Sequence, residues 1–574
     1  MNRIIFFAVA ILSVSLFSCK DDDDDNNESE SIITTDVVKT DNGAYSLGNA
    51  VYGPLQTLSS SFSFLLESHT ETTISFEGAE TAGGPEASRL ETTPGNSYAN
   101  KLFDRLYQSI GSSNIAIQKL DSSRVDIEGG LSQGAKDLVI ARVKFTRALS
   151  YLYLVQIYGE VPLKLTPADA SKNERVAIDQ IYEQIVKDLE EAEKDLPAFD
   201  QIRSNPNKGA ANGLLARAYL TWGQKPLSQA EVEGIKTSKT DPVHSVDAAK
   251  LQKAVEYADK VINSGNFSLE PDFNSNFGVV AENRSVEHIY TIHHDGDNKG
   301  DAQGNHQTHC PFTERFNLLI DNHIGPADVT LVNRFDDNDQ RKLLSIVEHL
   351  YNGDEPNPAN TPKFNKYDYV FPVTSPRYGK FIHRRDYAAN IEVAPGSAAA
   401  QPNDINRIEL RYAEVLLYKA EALFFLGKAG EALPIVNQLR ERAFGGHYEH
   451  YALSTLTEED LYKEWDLELS FEQKHWQNLV RWKKLISTVQ TVKDFEYYKE
   501  AYKDEEAVKA TAAAKGFTNT EDKSAPNWVN APFFAKIYKH LHAKDDHISG
   551  KFYRFPIPVA SGIDKGVKPQ NPGY

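Results

Sequence analysis

Apolar residues recur at helical spacing along most of this chain, and the recurrence comes in matched pairs. In "LLARAYLTWG" (residues 214–223) and "LYKAEALFFLG" (417–427) a small Ala stands seven positions before a Gly, with a large side chain three after the Ala: Ala216, Tyr219, Gly223 and Ala420, Leu423, Gly427. A small residue lets a second helix approach closely, and a glycine ends the first by taking φ > 0. Each stretch therefore predicts one arm of a helix hairpin. Its partner follows directly as "KAGEALPIVNQLRERA" in the second copy, and as "LQKAVEYADKVINSG" after a long insertion in the first. Residues 141–159, 181–197 and 461–485 carry the same periodicity. The repetition is tetratricopeptide-like. It predicts a mainly α fold, a scaffold of about four hairpins that stabilise one another by stacking.

Between the periodic stretches lie long irregular ones, at 70–97, 291–328 and 352–403, rich in Gly, Pro, Asn, His and aromatics. Loops of this length in a compact body carry function, and their aromatics predict order, with some β structure in the insertions.

The first forty residues read differently. Arg3 precedes an apolar run at 4–17 that ends at Cys19, followed by Lys20 and five aspartates, Asp21 to Asp25. A charged start and a short apolar core describe a signal peptide, too short to span a hydrocarbon layer of about 30 Å. Leu16, Phe17, Ser18 and Cys19 resemble the bacterial lipoprotein box, in which the cysteine becomes the lipidated first residue. Lys20 and the acidic run resemble the Bacteroidota signal for export to the outer face of the outer membrane, and like charges also make a solvated tether. The predicted organisation is a signal peptide at 1–18, a lipidated Cys19 with an acidic tether at 19–39, and a single body at 40–574.

Charge and cysteine count narrow the picture. Loss of Arg3 with the signal peptide takes the net charge from −19 to −20, which makes nucleic acid and anionic membrane surfaces poor partners and suits neutral ligands. Cys19 and Cys310 are the two cysteines, so no disulfide forms within the body and the fold stands on its core.

Sugars present C–H faces to aromatic rings and hydroxyls to planar polar side chains. The irregular stretches hold that mixture: His69 at the edge, then Glu71, Phe76, Arg89, Tyr98 and Asn100, and His309, Phe312 and Phe316 in "HCPFTERFNLL". Tyr98 leads, as an aromatic just ahead of a helix predicted to begin near Lys101. Tyr367, Tyr369, Tyr378 and Trp528 are in reserve. Trp222, Trp465, Trp476 and Trp482 sit in helical patterns and read as core. Glu468 and Glu472, with Lys474, His475 and Arg481 near, read as an ion-pair network rather than a catalytic acid and base. "HHDGDNKGD" (293–301) lacks the ligand alternation of a calcium loop and a third zinc ligand, so no metal and no cofactor is assigned.

"YGEVPL" (158–163), "LRYAEVLLYKAEAL" (410–423), "LELSFEQKHWQNLVRW" (467–482), "FPIP" (555–558) and "QNPGY" (570–574) resemble, in order, the recurring segments of the SusD/RagB family. His475 and Asn478 depart from the Arg and Asp frequent there, as does "SGIDKGV" before "KPQNPGY". The resemblance implies a non-enzymatic surface lipoprotein that binds glycan and closes, like a lid, over a SusC-type TonB-dependent transporter. Its hairpins would face the transporter and its irregular segments would carry the ligand. A peptide-capturing lid of the same fold is the alternative. A glycoside hydrolase, less favoured, requires two carboxylates about 5 to 10 Å apart across a cleft.

Overall fold

The computed structural model describes residues 38–58, 61–75, 83–126, 129–277, 285–293, 334–349, 406–516, 519, 529 and 531–574, together with the backbone of short strands at 316–318 and 372–378. Cys19, Phe76, His309, Phe312, Tyr367, Tyr369, Trp528 and the 294–301 part of the His-Asp stretch lie outside the described residues. The body is mainly helical, as the periodicity predicts. It opens with α1 (Asp41–Asn49), whose N-cap Thr40 accepts a hydrogen bond from the Gly43 N–H at 3.1 Å. The short α2 (Gly84–Ser88) precedes two long helices, α3 (Ser97–Ser122) and α4 (Gln133–Tyr158). Then come α5 (Ile178–Asp195), α6 (Lys208–Gly223), α7 (Ala248–Asn263), α8 (Gln340–Ser345), α9 (Tyr412–Phe425) and α10 (Ala429–Phe444). α11 (Glu458–Leu469), α12 (His475–Trp482) and α13 (Ala531–His547) close the series.

Consecutive helices from α3 to α7 pack side by side, and α7 continues onto α9 and α9 onto α10. That is the stacking expected of hairpin repeats. One contiguous core runs from Leu55 through Leu102, Leu154, Leu215, Leu417 and Trp465 to Val567. A second cluster, Val492 to Leu541, takes in Ile74.

The two hairpin glycines do different work. Gly427 has φ +75° and ends its helix as predicted. Gly223 does not: it is the last residue of α6, and positive φ falls on Lys225 at +47°. Gly223 is required by contact instead, because a Cβ there would lie 2.9 Å from the Leu251 side chain of α7. The 461–485 pattern is not one helix either. α11 stops at Leu469, Phe471 and Gln473 both take φ +63°, and α12 starts afresh at His475. The break releases Glu472 from the helix and sends its carboxylate into a buried ion-pair network.

In that network Arg411 holds Glu472 through two contacts of 2.8 and 2.9 Å, and reaches Glu287 and Glu468 at 2.6 Å each. Arg442 bonds Glu287 at 2.8 Å and also Glu468. Arg341 joins Asp339 at 2.8 Å, Glu464 at 2.5 Å and Glu468 at 3.0 Å. All of these side chains are buried. Glu468 and Glu472 are thus ion-paired as read from sequence, but by three arginines distant in sequence. Lys474 goes to Glu414 at 3.3 Å, and Arg481 to Glu421 at 2.8 Å. Trp465, Trp476 and Trp482 are core residues, each 1% exposed. Trp222 is half-buried and stacks on Tyr182 at 5.5 Å.

Among the described residues the strands form three antiparallel pairs: β1 (Thr73–Ser75) with β3 (Phe316–Leu318), β2 (His288–Ile292) with β6 (Arg407–Arg411), and β4 (Ile346–His349) with β5 (Pro372–Tyr378). β5 also lies against β3. At the C-terminal end the Phe555 N–H donates to Ile157 O at 3.0 Å, and the Val559 N–H to Pro94 O at 2.9 Å. Asn571 Nδ2 donates to Tyr158 O at 2.9 Å and Phe555 O at 2.7 Å. Gly159, at φ +76°, makes room for Arg554 there. Among the described residues no helix is long and apolar enough to cross a membrane.

Candidate functional site

α3 owes its start to Asn96, whose Oδ1 accepts from the N–H groups of Tyr98 and Ala99 at 3.0 and 3.1 Å, satisfying donors that a helix end leaves unpaired. The helix therefore begins four residues earlier than the predicted Lys101. Two turns in, Arg105 and Gln108 share a face. They form one wall of a cleft of about 700 Å³, open to solvent, whose other walls are the turn after α1 (Asn49 to Gln56), Ser204 and Asn205, and the end of β2 (Tyr290 to His293).

The walls are tied together by hydrogen bonds. Arg105 Nη1 donates to Gln108 Oε1 at 2.8 Å, and Gln108 Nε2 donates to Asp104 Oδ2 at 2.6 Å. Gln56 Nε2 donates to His293 O at 2.8 Å, fixing the turn after α1 to the end of β2. The Thr291 N–H donates to Arg203 O at 3.0 Å, and Asn205 Nδ2 to Asp200 Oδ2 at 3.1 Å, which seats the third wall. Burial pushes the Tyr52 hydroxyl up to about 12 and lowers the His293 imidazole, so at neutral pH both are uncharged. The hydroxyls of Tyr52, Tyr290 and Thr291 and the Nε2 of His293 are buried within the walls, and the cleft offers a ligand the amides of Asn49, Gln56, Gln108 and Asn205, the Ser204 hydroxyl and one guanidinium.

The structure brings together only part of the sequence-derived set. The β1–β3 pairing sets Ser75 opposite Phe316, so the 70–75 and 316–318 stretches do meet. Glu71, just before β1, is buried: its carboxylate takes Arg334 Nη2 at 2.8 Å and His475 Nε2 at 3.1 Å. Burial raises its pKa, but His475 and Arg334 outweigh it and bring the group down to about 2. Glu71 is thus committed to a structural ion cluster in which Asp466 also joins Arg334 and His475 at 2.9 Å each. Arg89 bonds Glu91 at 2.8 Å at the end of α2. Tyr98 is half-buried in the first turn of α3 against the core. Asn100 gives its amide to Asn96 O at 2.9 Å and Pro94 O at 3.3 Å. His69 is buried between Leu65 O at 2.6 Å and Thr92 Oγ1 at 2.9 Å, and burial takes it down to about 3.

Arg105, Gln108, Gln56 and Asn205 were not singled out from sequence, and His293 was weighed there only for a metal, within the 293–301 stretch. They come from four separate stretches, and the one local signal was the Arg-Gln spacing on α3. Among the described residues no group of three His, Cys, Asp or Glu is arranged to hold a metal ion.

Comparison with known proteins agrees with the fold. Residues 281–574 match the model of the SusD family, and residues 39–220 match a second family model described as starch-binding associating with outer membrane. A SusD-like protein of Formosa agariphila is 26% identical over 417 residues, 68% of this chain and 72% of the relative. The starch-binding protein SusD of Bacteroides thetaiotaomicron is 25% identical over 436 residues, 69% of this chain and 72% of the relative. The crystal structure of a SusD homolog from Bacteroides thetaiotaomicron superposes with a TM-score of 0.65 at 20% identity, covering 96% of this chain and 99% of that one.

Proposed function

Because this chain belongs to the SusD family, we propose that it captures oligosaccharide or polysaccharide at the cell surface and delivers it to a SusC-type TonB-dependent transporter. It acts by binding and not by catalysis. Held to the outer membrane through lipid on Cys19, it faces the exterior. The observation that carries the glycan reading is the cleft beside α3, a solvent-open space lined by amides and the Ser204 hydroxyl, groups that match sugar hydroxyls. The names of the second family model and of the Bacteroides thetaiotaomicron relative support the same ligand class. Tyr98, with Phe76, Phe312 and Phe316 on the irregular stretches, supplies the stacking surface in this reading, and Arg89, His309 and Asn100 its polar margin.

Affinity gels and calorimetry of the purified protein across a panel of polysaccharides and peptides test it. Retention by at least one polysaccharide, with displacement by its oligosaccharide, is the expected result. Displacement by peptide alone assigns the fold to peptide capture, and release of product from a polysaccharide overturns the non-enzymatic reading. Pull-down from native membranes is expected to bring one barrel-sized partner. Recovery of the protein alone under mild detergent counts against the transporter.

A further inference from the structure

Among the described residues the cleft beside α3 has no acidic lining residue, although the chain holds 81 Asp and Glu and a net charge of −19. The one charged lining group among the described residues is Arg105, half-buried in the wall. Among the described residues no carboxylate lies within ion-pair distance of that guanidinium. Its Nη1 goes to Gln108, and the nearest acid in this chain of contacts, Asp104, is reached only through the far end of the Gln108 amide. Gln108 thereby orients the guanidinium without neutralising it. The facing walls carry acceptors and donors on neutral groups: Asn49, Gln56 and Ser204.

We propose that the unit bound in this cleft is an anionic sugar residue, bearing a uronate carboxylate or a sulfate ester, with Arg105 as its ion-pair partner. The inference rests on the glycan-binding reading and narrows it. A planar guanidinium presents paired N–H donors that match two oxygens of a carboxylate or sulfate, and such pairs are among the stronger hydrogen bonds in proteins. A neutral sugar covering Arg105 would strip water from a cation and return no charge, a loss that a charged unit offsets. The overall negative charge does not oppose this, since charges more than about 8 Å apart are largely screened at physiological ionic strength. The neutral-ligand expectation drawn from net charge therefore holds for the surface at large and not for this wall.

Two pairs of polymers separate the chemistry: polygalacturonate against its carboxyl-reduced neutral form, and dextran sulfate against dextran. Each is run on affinity gels with the full-length protein in mild detergent, beside a panel of unrelated neutral polysaccharides. In at least one pair the charged member is expected to be retained about tenfold more strongly than the neutral one, and Arg105→Gln to bring the two within about threefold of each other while keeping the wild-type melting temperature. Arg105→Lys, which keeps the charge and loses the planar fork, is expected to fall between. The responding pair names the anion. Equal retention of charged and neutral members, a preference that survives Arg105→Gln, or retention of panel polysaccharides with neither charged polymer bound overturns the inference while leaving glycan capture standing. Retention of no polysaccharide at all overturns both.

Discussion

Arg411→Met is the sharpest test of how this helical body is held. The guanidinium makes five contacts of 2.6 to 2.9 Å, to Glu472 twice, Glu287, Glu468 and the Glu468 carbonyl. Methionine fills much of the volume but leaves Glu472 without its bidentate cation, whereas Glu287 and Glu468 keep Arg442. Removing one partner of a buried pair costs about 3 to 5 kcal/mol. The protein supplies its own gauge: Glu67, a buried carboxyl with no salt bridge among the described residues, is pushed up to about 7, chiefly by burial. If Glu472 follows it in the variant, 1.36 kcal/mol per pKa unit makes the displacement worth about 3 kcal/mol. The sign follows from the direction. A carboxyl raised in the folded state destabilises above that raised value and ceases to do so as pH falls toward its unfolded value. In the wild type Arg442, Arg411 and Arg341 outweigh the effect of burial and hold Glu468 well below the ordinary range, so its contribution is intact from pH 8 down to pH 5. Glu67, Lys483 and Lys544 titrate in both proteins and cancel in the difference. Denaturant melts at pH 8 and pH 5 are therefore expected to show a deficit of about 3 kcal/mol at pH 8 that shrinks by more than half at pH 5. At about 2.1 cal/mol/K per residue over 574 residues, the pH 8 deficit lowers the melting temperature by about 3 °C. A deficit equal at both pH values would mean that lost packing, not a carboxylate deprived of its guanidinium, sets the cost, and the charge argument would fail.

Trp476, 1% exposed and packed against Phe555 at 4.9 Å, is expected to cost about 3 to 5 kcal/mol as Ala, read as a lower melting temperature with glycan affinity per folded molecule unchanged. Tyr98→Ala, half-buried against the core, is expected to lose about tenfold to a hundredfold in glycan affinity on a calorimeter with a smaller drop in melting than Trp476→Ala; the reverse outcome for this pair would move the ligand from Tyr98 to the surroundings of Trp476. Gly223→Ala, forced against Leu251, is expected to destabilise by about 1 to 3 kcal/mol. Gly427→Ala, which meets open space but holds φ +75°, should cost about 1 to 2 kcal/mol through its backbone, and a Gly223→Ala variant as stable as the wild type would refute the contact argument. Cys19→Ala is expected to release the protein from the membrane fraction while leaving ligand binding intact; a variant that still pelleted in cells lacking the transporter would overturn the lipid anchor.

The helices were legible because their apolar faces repeat, and Gly427 and Thr40 mark ends by local chemistry that a sequence displays. The break at 470–474 was not. Phe471 and Gln473 adopt a left-handed conformation with no glycine or proline to announce it, because the buried arginines outbid local propensity for Glu472. The arginine network was half visible. Glu468 and Glu472 stand close in sequence, but Arg341, Arg411 and Arg442 are delivered by other elements and look like surface charges in their own. At the candidate site the aromatic-rich stretches were readable as composition, whereas the α3 cleft depends on four walls meeting. Glu71 shows the converse, a polar residue in a plausible stretch that tertiary contacts bury.

The contacts of the last twenty residues set an order of events in biogenesis. Pro94, Ile157 and Tyr158 offer carbonyls that are taken up by Val559, Phe555 and Asn571, each roughly four hundred or more positions later. Pairings so remote in sequence close slowly. A chain threaded across a membrane from its amino end would present α3 and α4 outside long before the segment that caps them has been made, with the apolar end of α4 uncovered in the interval. Until that segment arrives, protection of α4 falls to whatever holdase meets the emerging chain, and a chain interrupted before residue 555 would leave the carbonyls of Pro94, Ile157 and Tyr158 without these donors.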